Sequence, residues 1–157
     1  MSMTAPPASY AELTPEVILQ ALEHIGLQPN GSLLALNSYE NRVYQVGVDE
    51  REFVVVKFYR PGRWSDAAIQ EEHDFAFELA EQEIPIVTPL RFAGQSLLYY
   101  AGFRLAVYPR RGGRWPELDS RDNLEQLGRF IGRIHAVGRS RRFAHRLRLN
   151  VQTCLLY

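Results

Sequence analysis

Cysteine is nearly absent from this sequence. Cys154 stands alone among 157 residues, so no internal disulfide can staple the fold and nothing points to an oxidising compartment. Net charge is missing as well. Eighteen Lys and Arg balance eighteen Asp and Glu, which removes any whole-molecule electrostatic case for nucleic acid, an anionic membrane or an acidic partner. No apolar run reaches the ~18 residues of a membrane span, and no period of ~20–50 residues repeats as in a solenoid. The opening MSMTAPPASYAEL has neither the charged nor the apolar region of an export signal, so the expected compartment is the cytoplasm. What is plentiful is core material: 46% hydrophobic residues in a chain of this length can bury one ordinary core.

Residues 1–12, rich in Ala, Pro and Ser, read as a flexible arm. Thr14 then caps a helix with Pro15 at its first position and Gly26 at its end, and Val17, Ile18, Ala21, Leu22 and Ile25 give it one apolar stripe. From Ser32 the period becomes that of strands. SLLALN, RVYQVGV and EFVVVKFY, separated by SYEN and by Asp49-Glu50, predict an antiparallel meander. Ser65 is a helix N-cap, and the helix runs to about Glu83, before Pro85 and Pro89. The stretches 90–93 with 97–100, and GFRLAVYP at 102–109, suggest another hairpin. RRGGRWPE reads as a linker, and NLEQLGRFIGRIHAVG as an amphipathic helix with Leu124, Leu127, Ile131 and Ile134 on one face. The chain ends on Leu155, Leu156 and Tyr157, an apolar finish that reads as a cut.

Lys57 is the first chemical anomaly, because alternation along EFVVVKFY leaves the strand apolar on both faces. Either the lysine lies near a sheet edge and snorkels to water, or it has a buried partner. On the following helix Ala68, Ile69, Phe75, Ala76 and Leu79 form one stripe, with Glu72 at its centre and Glu71 well off it. A carboxylate in such a stripe is costly without a cation, so Lys57 and Glu72 are expected to pair. A strand lysine held by a helix glutamate is the device that aims an ammonium at nucleotide phosphates in protein kinases. The order strand, loop, strand, lysine strand, glutamate helix, two strands, linker, helix follows the same plan.

The loop expected over the phosphates, SYENR at 38–42, lacks glycine. It would have to use the Ser38 hydroxyl, main-chain amides and the Asn41 side chain, and by itself it is also an ordinary polar turn. LNSYENRVYQ, VVVKFYRPGRW, EEHDFAFEL with IPIVTPL, and LGRFIGRIHAVGR together resemble the bacterial stress response kinase A family, serine/threonine protein kinases of the aminoglycoside phosphotransferase or choline kinase type of fold. The resemblance covers about Leu13 to Arg142. It implies an α+β, protein-kinase-like small lobe at 13–108: a five-stranded antiparallel sheet with one packed helix plus the N-terminal helix. A hinge or linker at 109–118 and the start of a truncated helical large lobe at 119–157 would follow. It also implies ATP and Mg2+ as cofactors, Ser38 at the ATP site, Lys57 on the phosphates, Glu72 holding Lys57, and an adenine hinge through Val107, Tyr108 and Arg110.

The catalytic half is missing from this pattern. None of His24, His73, His135 or His145 precedes Gly-Asp, and Asp49, Asp66, Asp74, Asp119 and Asp122 fit neither the catalytic-base nor the metal motif. The intact protein is therefore expected to phosphorylate protein Ser or Thr in a stress response, and this chain alone to be inactive and prone to self-association through uncovered apolar surface. A small-molecule kinase of the choline or aminoglycoside type, or a non-catalytic binding module, are the alternatives. His135, Trp64 and Trp115 read as packing residues. Arg139, Arg141, Arg142, Arg146 and Arg148 read as a solvated basic surface, with no nucleic acid or membrane partner.

Overall fold

The computed structural model describes residues 9–148, 150 and 151. They group into two compact units, one drawn from Met1–Trp64 with Val87–Gly112, the other from Ser65–Ile86 with Gly113–Tyr157. Cys154 and the apolar finish at 155–157 lie outside the described residues.

The first unit is α+β. It holds helix α1 (Pro15–His24) and strands β1 (Pro29–Leu36), β2 (Arg42–Val48), β3 (Glu52–Phe58), β4 (Leu98–Tyr100) and β5 (Phe103–Pro109). The strands form one antiparallel sheet in the order β1-β2-β3-β5-β4. Thr14 caps α1 by accepting from the Val17 amide, and Gly26, at φ +90°, ends it with a Leu27 N–H to Leu22 carbonyl bond of 3.0 Å. Ile18, Ala21 and Leu22 of this helix are buried in a core with Val46, Val54, Val56, Phe58, Phe103, Leu105 and Val107. Phe58 stands edge-on to Tyr44 and to Phe103 within that core.

Three segments differ from the sequence reading. β1 begins at Pro29 rather than Ser32, because the Asn30 side chain binds the Asp49 carbonyl and the Ser32 amide and so carries the strand past an irregularity in its pairing. That side chain lies over Gly47, where any Cβ would collide with it. Residues 90–93 form no strand. Phe92 and Gln95 make only an isolated bridge around Ala93-Gly94, both at positive φ, and the Leu90 amide instead meets the Val107 carbonyl at 2.7 Å. Within the arm expected at 1–12, Ser9 caps a 3-10 turn at Tyr10–Glu12, and the Tyr10 hydroxyl donates to the Phe58 carbonyl.

The second unit holds α2 (Asp66–Glu81), α3 (Arg121–Arg139) and the segment after α3. Ser65 caps α2 as expected, accepting from the Ala68 amide. Its C-terminus closes on Glu83 at φ +54°, a position that usually takes glycine, with Ile84 N–H bonded to the Leu79 carbonyl. Arg133 of α3 donates to the carbonyls of Gln82 and Glu83 at 3.0 and 3.1 Å, satisfying the end of α2. The stripe of α3 is uncovered: Leu124, Leu127 and Ile131 are all exposed, and no residue of the helix is buried. His135 and Trp115, expected as packing residues, are exposed too.

Candidate active site

β3 is a central strand, between β2 and β5, so the edge-snorkelling alternative for Lys57 does not hold. Its two faces are unequal. Val54, Val56 and Phe58 point into the core, whereas Phe53, Val55 and Lys57 occupy a face that is only partly covered. Opposed residues of an antiparallel sheet share a face. Lys57 pairs with Val43 and Ala106, Val55 pairs with Gln45 and Tyr108, and Val43 pairs in turn with Leu36. The result is an apolar strip of Leu36, Val43, Val55, Ala106 and Tyr108 with one ammonium toward its end. The Lys57 Nζ lies 4.5 Å from the centre of the Tyr59 ring, whose π face favours a cation.

The turn between β1 and β2 sits at the Lys57 end of the sheet, since Arg42 pairs with Phe58. It is held without glycine. Ser38 donates its hydroxyl to the Asn41 carbonyl at 2.8 Å, closing the turn, and the Asn41 side chain accepts from the Arg60 amide. Glu40 accepts from Trp64 Nε1 at 2.8 Å and from Arg63 Nε at 3.1 Å, while its carbonyl accepts from Tyr10. Burial pushes the Tyr10 phenol up, against the opposing influence of Arg42 beside it. Tyr39, at the tip, is fully exposed. Ser38 therefore shapes the loop through its own backbone, and Asn41 ties it to the segment after β3.

The predicted hinge lies toward the other end. Val107 is buried in β5, and its carbonyl is engaged by Leu90. Tyr108 is still paired with Val55, about 7 Å along the strand from Lys57 at ~3.3 Å per residue. Arg110 donates to the Gln45 side chain at 2.9 Å and stacks its guanidinium over Phe53. Six of the seven predicted site residues thus belong to the first unit: Lys57 and Tyr108 on one sheet face, Val107 on the core face, Ser38 and Asn41 in the turn at one end and Arg110 just past β5 at the other. Leu36, Val43 and Ala106 are additions, invisible until strand register is known.

Glu72 belongs to the second unit. The buried residues of α2 are Ala68, Ile69, His73 and Leu79, and Glu72 projects within the arc they define, its side chain 35% exposed. Its Oε2 accepts from Arg146 Nη1 at 3.0 Å. The neighbouring Glu71 is capped by three backbone amides, Ala144 at 2.6 Å, His145 at 3.0 Å and Arg146 at 2.9 Å. Desolvation works to raise the Glu71 pKa, but those amides, with His145 beside it, outweigh it and hold the carboxylate below its usual range. Arg141 pairs with Glu78 at 2.6 Å, and Phe143 stands edge-on to Phe75. The basic run is therefore not simply a solvated surface, because Arg141 and Arg146 fasten to α2. A cleft of about 880 Å3 in this unit is lined by Glu72, Phe75, Arg142, Phe143 and Arg146 among others.

Among the described residues no group of three or more His, Cys, Asp or Glu side chains could hold a metal ion, and no helix is long and apolar enough to cross a membrane.

Residues 32–153 match the phosphotransferase enzyme family. The chain is 48% identical over 138 residues to stress response kinase A of Salmonella choleraesuis (strain SC-B67), covering 88% of this chain and 42% of that one. It is equally similar to a protein of Salmonella typhimurium named serine/threonine protein kinase RdoA. The Escherichia coli K12 stress response kinase A is 44% identical over 148 residues, covering 94% and 45%. Among solved structures, an amicoumacin kinase in complex with AMP-PNP, Ca2+ and Ami superposes with a TM-score of 0.66 at 25% identity, over 82% of this chain and 41% of that one. A microcompartment-associated aminopropanol kinase gives the same score at 23% identity, over 90% and 46%. The chain spans less than half the length of the relatives it matches.

Proposed function

Since the chain belongs to the phosphotransferase enzyme family, we propose that it is the ATP-gripping portion of a kinase, with the nucleotide lying along the Lys57 face of the sheet. The apolar strip of Leu36, Val43, Val55, Ala106 and Tyr108 suits a flat base. The ammonium of Lys57 suits phosphate oxygens, and the Ser38–Asn41 turn lies at that same end. The observation that carries this reading is a lysine on a central strand toward the end of a largely apolar, partly open strip. In the whole protein Glu72 holds Lys57 in its phosphate-binding position, while backbone from Tyr108 to Arg110 meets the base. Lys57 then offsets charge on the transferring phosphoryl group, the main work of a protein in such a reaction. The metal ligands and the catalytic base are assigned in this reading to the part of its relatives' length that the chain does not span.

The acceptor proposed is a Ser or Thr hydroxyl of a protein in a cytoplasmic stress response, as the name of the Salmonella typhimurium relative suggests. A second reading, a small-molecule alcohol as acceptor, draws on the amicoumacin and aminopropanol kinases that share the fold. Radiolabelled γ-phosphate transfer by the full-length protein separates them. Label should reach a generic basic protein and not aminopropanol, and Lys57→Ala should abolish it. Turnover of the small alcohol alone would give the second reading, and undiminished transfer by Lys57→Ala would remove both.

A further inference from the structure

Glu71 and Glu72 are consecutive on α2, and both grip the same short turn. Glu71 takes the backbone amides of residues 144–146, and Glu72 takes the guanidinium of the last of them. These contacts differ in kind. The amide contacts depend only on the path of the chain, so they seat the turn whatever side chain stands at 146. The Arg146 head is thereby presented to Glu72 by a turn already fixed in place, with Arg141–Glu78 and the Phe75–Phe143 ring contact fastening the same segment further along α2. A carboxylate has two oxygens and can accept from two cationic donors at once. Arg146 Nη1 occupies Oε2 of Glu72, and a guanidinium fixes the plane of the carboxylate it binds more firmly than a lone ammonium does.

We infer that Arg146 is a positioning residue for nucleotide binding: it orients the Glu72 carboxylate, and through it the phosphate-binding lysine. This rests on the role proposed above for Lys57 and Glu72. Arg146 touches neither ATP nor the reacting atoms in this scheme. The run of arginines after α3, which resembles a solvated patch in the sequence, contains one member with a defined task.

The test is titration of a fluorescent ATP analogue into the full-length protein, well below its melting temperature, using Arg146→Ala, Arg146→Lys, Glu72→Gln, their combinations and Lys57→Ala. Arg146→Ala should weaken binding about tenfold, the size of a lost charge-assisted hydrogen bond that steadies a second charge. Arg146→Lys should recover part of the loss, and in the Glu72→Gln background Arg146→Ala should add almost nothing. A purely structural arginine would give a loss that persists beside Glu72→Gln and is unaffected by the lysine variant, and that pattern overturns the inference. So does full affinity in Arg146→Ala and Arg146→Lys while Lys57→Ala binds poorly, a result that leaves the proposed function standing. Tight binding by Lys57→Ala instead removes the proposed function itself. Should Arg146→Ala fail to fold, the lysine variant alone decides, since unchanged affinity with an ammonium at 146 contradicts a requirement for the guanidinium.

Discussion

The two units of this chain are held together by different physics. The first has a shared apolar core in which Ile18, Val46, Val56, Phe58 and Leu105 are almost wholly removed from water. In the second, the tie between α2 and the segment after α3 is largely polar: a carboxylate in a nest of amides, two Arg–Glu pairs and one ring contact, while α3 buries no residue. Apolar burial neither titrates nor is screened by salt, whereas polar ties are subject to both.

Truncation of the core tests that contrast most severely. Leu105→Ala should destabilise the first unit by about 2–5 kcal/mol, read by urea unfolding, because a wholly buried side chain leaves a cavity. A loss below ~1 kcal/mol would mean the core is loosely packed. A smaller effect is expected at Gly47→Ala, at roughly 1–2 kcal/mol, since the Asn30 side chain in its way is held by the Asp49 carbonyl and the Ser32 amide. Adding Asn30→Gly should recover part of it.

On the polar side, the sign of the Glu71 shift sets the window. Its pKa is lowered on folding, so its contribution is present above the ordinary value of 4.5 and is lost as pH falls from there through the folded value. Hydrogen exchange at the amides of 144–146, corrected for intrinsic rates, should accelerate across that range while Val56 in β3 stays protected. Glu71→Gln should remove the acid dependence. The smallest effect belongs to Leu127→Gln on the uncovered face of α3, within about 0.5 kcal/mol by the same unfolding assay, because little burial is lost. The same change should reduce self-association of the isolated chain, measured by light scattering.

Much of the first unit was legible in the sequence because its signals are local. Thr14-Pro15 and Gly26 mark the bounds of α1, alternation marks β2 and β3, and Ser65 marks the start of α2. Register is a long-range property, so the companions of Lys57 on its face could not be named before Val43 and Ala106 were seen opposite it. The stripe of α2 was legible too. Helical periodicity places Glu72 within the arc of Ala68, Ile69 and Leu79 but does not say how far that arc is covered, and the side chain is 35% exposed. The amide nest around Glu71 has no side-chain signature at all, since backbone supplies every donor. Arg146 was visible only as one of several arginines, and its distance of 74 residues from Glu72 hid the pairing.

The most direct measurement is a double-mutant cycle on Lys57 and Glu72 in the full-length protein, using ATP affinity as the readout. If the glutamate serves the lysine, Lys57→Ala and Glu72→Ala should each weaken binding, and the double variant should lose much less than the product of the two fold-changes. Losses that simply multiply would show two independent charges and contradict the phosphate-gripping unit proposed here.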